Sequence, residues 1–161
     1  MLNLKIEDYL KIIFLISFIS LISAYSIEYI LGHQPCNLCL MERIPYGLSI
    51  ILITMSLMLK KNQKFFILLL IFVFVFSSLL SLYHFGIEAN FIQESSICGL
   101  KNSGDLISKE ELLIQLSKKT ISCRDVTFKI FGLSLTSINI AINLIIITIL
   151  VKLFKKYNEA K

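Results

Sequence analysis

Four cysteines carry the spacing in this 161-residue chain that most suggests chemistry. Cys36 and Cys39 stand three apart in the stretch Gln34-Pro35-Cys36-Asn37-Leu38-Cys39-Leu40-Met41-Glu42-Arg43-Ile44-Pro45-Tyr46. Two thiols in one helical turn can close a small disulfide. At a helix N-terminus the unpaired N–H groups and the dipole stabilise a thiolate, and Pro35 suits the start of such a helix. Arg43 falls four residues after Cys39, on the same helical face. A guanidinium there favours a Cys39 thiolate and can stabilise negative charge developing on a carbonyl oxygen. An arginine at the edge of an apolar run is costly without a partner or a job. The plainer alternative is an interfacial arginine paired to Glu42 or to a lipid phosphate; beside two cysteines the functional reading is preferred.

Cys98 and Cys123 lie 25 residues apart in a polar segment. A structural zinc site usually takes four Cys or His ligands in tight pairs. Only one tight pair exists, and His33 and His84 fall in separate outer segments, so no metal is expected. A structural staple between Cys98 and Cys123 is a stronger competitor, with a loop-entropy gain of ~3–4 kcal/mol. A ring closed by Cys36 and Cys39 is a poor staple, because so short a loop constrains almost nothing. That favours redox use of this pair. Two dithiol pairs on one membrane face suggest a relay, in which thiolates attack disulfides through mixed intermediates. The chain has no Gly-rich dinucleotide fingerprint after a strand. A lipid-soluble acceptor reaching the edge between Cys39 and Arg43 is therefore the natural electron sink, and quinones have that property.

The elements that must position these residues follow from composition. Hydrophobic residues make up 56% of the chain, far above an ordinary soluble domain. Four apolar runs stand out: 10–31, 44–59, 65–85 and 131–154. The second becomes long enough to span if its helix starts near Cys36, giving spans of about 10–31, 40–59, 65–85 and 131–154. A span needs ~20 apolar residues, because lipid offers backbone groups no partner. The expected fold is all-α: an integral membrane four-helix bundle, one domain over residues 1–161, with two outward-facing cysteine-bearing loops at 32–39 and 86–130. Lys5 and Lys11, Lys60, Lys61 and Lys64, and Lys152, Lys155 and Lys156 flank the runs. Positive-inside bias places these regions and both termini in the cytoplasm. The net charge of +5 reads as this topology signal; no basic stripe with interleaved aromatics suggests nucleic acid. Cleavage of run one as a signal peptide would put the Lys-rich C-terminus outside, and the run is longer than a usual signal core. In the second loop, Ser108 and Glu111 form a capping box before Leu112, Leu113 and Leu116, so a short amphipathic helix on the membrane surface is expected.

At this point the chain closely resembles the disulfide bond formation protein B (DsbB) family over nearly its whole length. Cys36-Asn37-Leu38-Cys39 with Glu42-Arg43-Ile44-Pro45-Tyr46 resembles the family's CxxC-xx-(E/Q)R-x-PY. Tyr83-His84-Phe85-Gly86-Ile87-Glu88 looks like its YHxGxE, and Phe131-Gly132-Leu133-Ser134-Leu135 like its FLGLSL-type start of span four. Phe128 departs from the Trp common before that span but keeps the aromatic character. The resemblance implies a quinone-dependent oxidase of the bacterial inner membrane, using ubiquinone or menaquinone, that recharges a DsbA-like thioredoxin-fold protein in the periplasm. It implies that Cys98 takes the mixed disulfide with that partner and that Cys123 resolves it and exchanges with Cys36. Cys39 would be the thiolate that donates to the quinone, with Arg43 holding a quinone oxygen and His84 reaching it from span three. The alternative for His84 is an interfacial cap of a helix C-terminus; His33 and Glu88 receive no role. Two other classes compete. A tetraspan scaffold with structural disulfides would find Cys36 and Cys39 dispensable. A vitamin K epoxide reductase-like enzyme would carry its quinone-side CxxC late in the bundle, whereas here it opens span two.

Overall fold

The computed structural model describes residues 6–93, 98, 122–124, 129–130 and 133–159. Helix α1 runs Ile6–Tyr29, α2 Asn37–Met41, α3 Arg43–Met58, α4 Gln63–Glu88 and α5 Leu135–Glu159. A 3-10 turn at Lys60–Asn62 joins α3 to α4. With α2 and α3 taken together, four helices among the described residues are long and apolar enough to cross a membrane. Their outer faces are apolar: Leu15, Phe18, Ile51, Phe72, Phe76 and Ile145 are all exposed, a surface that only lipid can cover at low cost.

Local sequence explains the breaks. Gly32 adopts φ +72° just past α1, a left-handed conformation that glycine accepts without a Cβ penalty. The His33 N–H then bonds the Ile27 carbonyl at 3.2 Å, closing the helix end. The second span breaks at Glu42 because Pro45 has no N–H for the Met41 carbonyl and its ring crowds it. Asn90, at φ 61°, turns the chain after α4. Phe91 and Ile92 N–H groups both bond the Gly86 carbonyl, at 2.9 and 3.0 Å. Gly86 lets Ile92 pack closely: a Cβ would sit 2.6 Å from Ile92 Cδ1, so the isoleucine side chain would have to turn away.

The helix bounds differ from the apolar runs at several ends. Span one is shifted toward the N-terminus, from 10–31 to Ile6–Tyr29. Helix α4 continues through His84 to Glu88, past the apolar run, because both polar side chains turn inward and find partners. Span four starts at Leu135, not at 131. Lys129–Ile130 (β1) and Leu133–Ser134 (β2) pair antiparallel before it, with Lys129 opposite Ser134 and Ile130 opposite Leu133. The expected capping box at Ser108 and Glu111, the apolar positions Leu112, Leu113 and Leu116, and Phe128 lie outside the described residues.

The helices form a ring in chain order. Helix α4 packs most extensively on α5, α1 on α3, and α3 on α4, while the edge between α1 and α5 is the loosest. At one end the core is Leu10, Ile13, Ile53, Ile67, Leu70, Phe74, Ile146, Leu150 and Leu153. Above it runs a polar seam. Ser49 donates to Ser17 at 3.0 Å, and Asn143 to Ser77 at 3.0 Å. The Tyr46 hydroxyl bonds Asn143 at 3.0 Å and also reaches Asn139. Interhelical bonds of this kind contribute ~0.6–2 kcal/mol each in membrane bundles; here they set the register of α3, α4 and α5 beneath the cysteines.

Candidate functional site

Cys36 is the N-cap of α2, in extended backbone, and its sulfur accepts the Cys39 N–H at 3.2 Å. A cap normally supplies oxygen to such an orphan donor; here a sulfur takes the role, and it places both thiols on one turn. Cys36 and Cys39 are free thiols, the first buried and the second half-buried. The Cys36 thiol is lowered to about 5, chiefly by the hydrogen bond from Cys39 and then by His84, against the opposing effect of burial.

Helix α4 brings His84 to this pair. His84 is 2% exposed. Its Nε2 lies 3.6 Å from the Cys36 sulfur, and its Nδ1 lies 2.9 Å from a Glu42 carboxylate oxygen. The other Glu42 oxygen accepts from Asn139 of α5 at 2.8 Å, and Asn139 also donates to Ser81 at 2.9 Å. Thr136 donates to Glu88 at 2.6 Å. The second Glu88 oxygen is buried without a hydrogen-bond partner among the described residues. Glu42, His84 and Cys36 thus stand in line, with the ring held at both nitrogens.

Arg43 turns the other way. It forms an ion pair with Glu28 of α1, bonds the Ala24 carbonyl at 3.4 Å, and stacks its guanidinium 4.9 Å from the Tyr25 ring centre. Of the plainer expectations, the Glu42 partner is replaced: Glu42 bonds His84 and Asn139. Adjacent helical residues point about 100° apart, so Glu42 and Arg43 face different neighbours.

Cys98 and Cys123 are joined in a disulfide, with Cα atoms 5.2 Å apart. They pack in one buried cluster with Cys36, Leu38 and Ile87, and Cys39 and Tyr83 lie against it. All four cysteines are therefore gathered at one end of the bundle, one pair bonded and one reduced.

A cavity of about 330 Å³ opens at the loose edge between α1 and α5. Apolar residues such as Ile19, Leu21, Ile27, Leu135 and Ile142 wall it, and Cys36, Cys39, Arg43, His84 and Cys123 line it. His33 and Glu88, to which the sequence assigned no role, line it as well. The site residues that sequence reasoning missed are Glu28, Glu42, Thr136 and Asn139. Glu28 had a signal, as the one acidic residue within the first apolar run; Thr136 and Asn139 had none beyond being polar in the fourth.

The sequence model of the family described as disulfide bond formation protein DsbB matches residues 8–153. An uncharacterized protein, RP370, of Rickettsia prowazekii (strain Madrid E) is 33% identical over 141 residues, covering 84% of this chain and 80% of that protein. No solved structure matches the chain. Four membrane-spanning helices, a thiol pair packed beside a disulfide, and a family match across nearly the entire length establish that this chain belongs to the DsbB family of multi-pass membrane proteins of disulfide-bond formation.

Proposed function

We propose that this protein is a quinone-linked thiol oxidase of the bacterial inner membrane. In this reading it reoxidises a DsbA-like thioredoxin-fold dithiol in the periplasm, and both of its termini lie in the cytoplasm. The observation that carries the reading is the pairing of a disulfide and a dithiol in one buried patch, at the mouth of an apolar cavity between α1 and α5. The lysines support the orientation. Lys60 pairs with Glu7 at 2.8 Å, Lys64 lies over Phe154 and Lys156 over Tyr9, all at the bundle end opposite the cysteines.

The electron path balances as four thiol–disulfide exchanges. A thiolate of the partner attacks Cys98, which breaks the Cys98–Cys123 bond and frees Cys123. The partner's second thiol then displaces Cys98, so the partner leaves as a disulfide and Cys98 and Cys123 become a dithiol. Next, Cys123 attacks Cys36 of a Cys36–Cys39 disulfide, Cys39 leaves as thiolate, and Cys98 closes on Cys123. The result is a bonded outer pair beside a reduced inner pair, the arrangement described above. Cys98 is 1% exposed, so attack by the partner requires the chain covering it to open.

A quinone supplies an acceptor for two electrons and two protons. The cavity fits such a molecule: it is apolar-walled, yet Arg43 and His84 bring hydrogen-bond donors to it and Cys39 faces it. Arg43 would hold a carbonyl oxygen and Cys39 would meet the ring; His84 would reach the other oxygen only by exchanging its Nε2 contact with Cys36. As Cys36 and Cys39 rejoin, the Cys36 thiolate lies beside His84 Nε2, which can hold the proton that the sulfur has given up, and Glu42 at Nδ1 stabilises the imidazolium.

The test uses the full chain in detergent with ubiquinone or menaquinone and a reduced thioredoxin-fold substrate. Cys39→Ser should abolish quinone reduction, followed by the ultraviolet absorbance of the quinone. Normal reduction by that variant would overturn the assignment. A reduced substrate lacking its second thiol should be trapped on Cys98 in a mixed disulfide, because its one thiolate can open the Cys98–Cys123 bond but nothing on the substrate can then displace Cys98.

A further inference from the structure

The inner thiol pair and His84 have a geometry that electron relay does not require. The ligand atoms of Cys36, Cys39 and His84 lie within 4.8 Å of one another, and all three face the same small space. A tetrahedral zinc ion held by sulfur and imidazole nitrogen has ligand edges of ~3.6 Å for sulfur to nitrogen and ~3.8 Å for sulfur to sulfur. The observed separation of Cys36 Sγ from His84 Nε2 is 3.6 Å. The histidine is also held as a ligating histidine is held. Glu42 engages Nδ1 at 2.9 Å, which fixes the ring and aims Nε2 at the sulfur. A carboxylate behind the ring raises its basicity and is the usual outer partner of a zinc-bound histidine. Glu88, whose second carboxylate oxygen is buried without a hydrogen-bond partner among the described residues, lines the same cavity.

Sequence spacing left a mixed cysteine–histidine site unprompted, because the third ligand comes from α4, 45 residues beyond Cys39. Two thiolates and an imidazole are soft donors that select zinc and similar thiophilic cations over magnesium or calcium.

We propose that the reduced Cys36–Cys39 pair and His84 bind a thiophilic divalent cation, zinc by its chemistry, with a fourth position open to the cavity between α1 and α5. Binding forms two metal–sulfur bonds and displaces whatever protons the thiol pair and His84 hold between them; no electrons move. The bonded sulfurs share their charge with the metal and are weaker nucleophiles, and the disulfide form offers no thiolate to the metal. Metal binding and electron transfer therefore compete at this pair, and zinc acts as a reversible brake on the reduced protein. The proposal extends the functional reading to the same cysteines, yet its test involves neither quinone nor partner protein.

The probe is cobalt(II), added without quinone or air to the full chain in detergent after reduction by a phosphine. The Cys98→Ser, Cys123→Ser double variant leaves Cys36 and Cys39 as the only thiols. The expected result in this variant is one equivalent of cobalt with thiolate-to-metal charge transfer and the strong visible bands of a tetrahedral site, lost on addition of zinc. Glu42→Gln should weaken binding about 10- to 100-fold, the range for loss of the carboxylate behind a ligating histidine. His84→Ala should weaken it further, and oxidation of the pair should abolish it. A reduced double variant without the charge-transfer band overturns the proposal. So does binding that Cys39→Ser or His84→Ala leaves unchanged. Because the double variant cannot relay electrons, its metal binding is scored separately from oxidase activity.

Discussion

Where α1 begins and α5 ends, the bundle interior is mostly apolar, with Leu10, Ile13, Ile53, Ile67, Leu70, Phe74, Ile146, Leu150 and Leu153 packed together and Ser56 and Gln63 the buried polar exceptions among the described residues. At the opposite end the interior holds Glu42, His84, Glu88, Thr136 and Asn139 around the cysteines. The first end is held by packing and tolerates no gap. The second is held by directional bonds, each polar atom fixing the next, and keeps a cavity open. Lipid provides no hydrophobic force between helices, so packing density and interhelical hydrogen bonds must hold such a bundle. This chain separates the two along its length. Polar groups costly in the bilayer centre lie near the interface, where they can act on thiols.

That contrast can be broken by variants at each end. The largest effect belongs to Cys36→Ser, which should reduce turnover with a thioredoxin-fold dithiol to background while shifting the unfolding midpoint little. A large stability loss with retained turnover would make the cysteine end structural. Next in size is the pH response of the metal-free, reduced protein. Because the Cys36 thiol is held near 5, the thiolate is present at neutral pH and is lost only as pH falls through that value. Its alkylation, read by peptide mass spectrometry, should be nearly flat between about pH 6 and 8, where an ordinary thiol rises about tenfold per pH unit. A rise of that ordinary kind would remove the electrostatic argument.

At the packed end, Phe74→Ala should cost ~3–5 kcal/mol of stability, the range for emptying a buried aromatic position. Turnover per folded molecule should be kept, as measured by activity against denaturation in detergent. Tyr46→Phe sits between the two ends. It removes the hydroxyl that bonds Asn139 and Asn143 and should cost ~0.6–2 kcal/mol. The smallest effect is expected for Lys60→Ala, whose exposed ion pair with Glu7 contributes ~0–1 kcal/mol.

Much of the fold was legible in the sequence. Four apolar runs gave four spans, because span length is set by bilayer thickness, a property of composition alone. The CxxC, Arg43 and the outer cysteines also stood out, since residue type and spacing carry that signal. Helix ends were less legible. Hydrophobicity marks where lipid is, whereas hydrogen bonding continues a helix through polar residues such as His84 and Glu88 when partners await them. The start of α5 was misplaced because the short antiparallel pairing of Lys129–Ile130 with Leu133–Ser134 depends on contacts between segments.

The chain by itself determined that it crosses a membrane and that thiol chemistry is gathered near one face. Only the tertiary structure decided which carboxylate meets which cation. Glu42 is adjacent to Arg43 yet bonds His84, while Glu28, on another helix, takes Arg43. Tertiary packing likewise decided that His84 stands against Cys36, 48 residues away, and that α1 and α5 part to leave a cavity. The physical reason is common to all three. Local sequence sets which way a side chain leaves its own helix, but its partner is whatever another helix presents at that height.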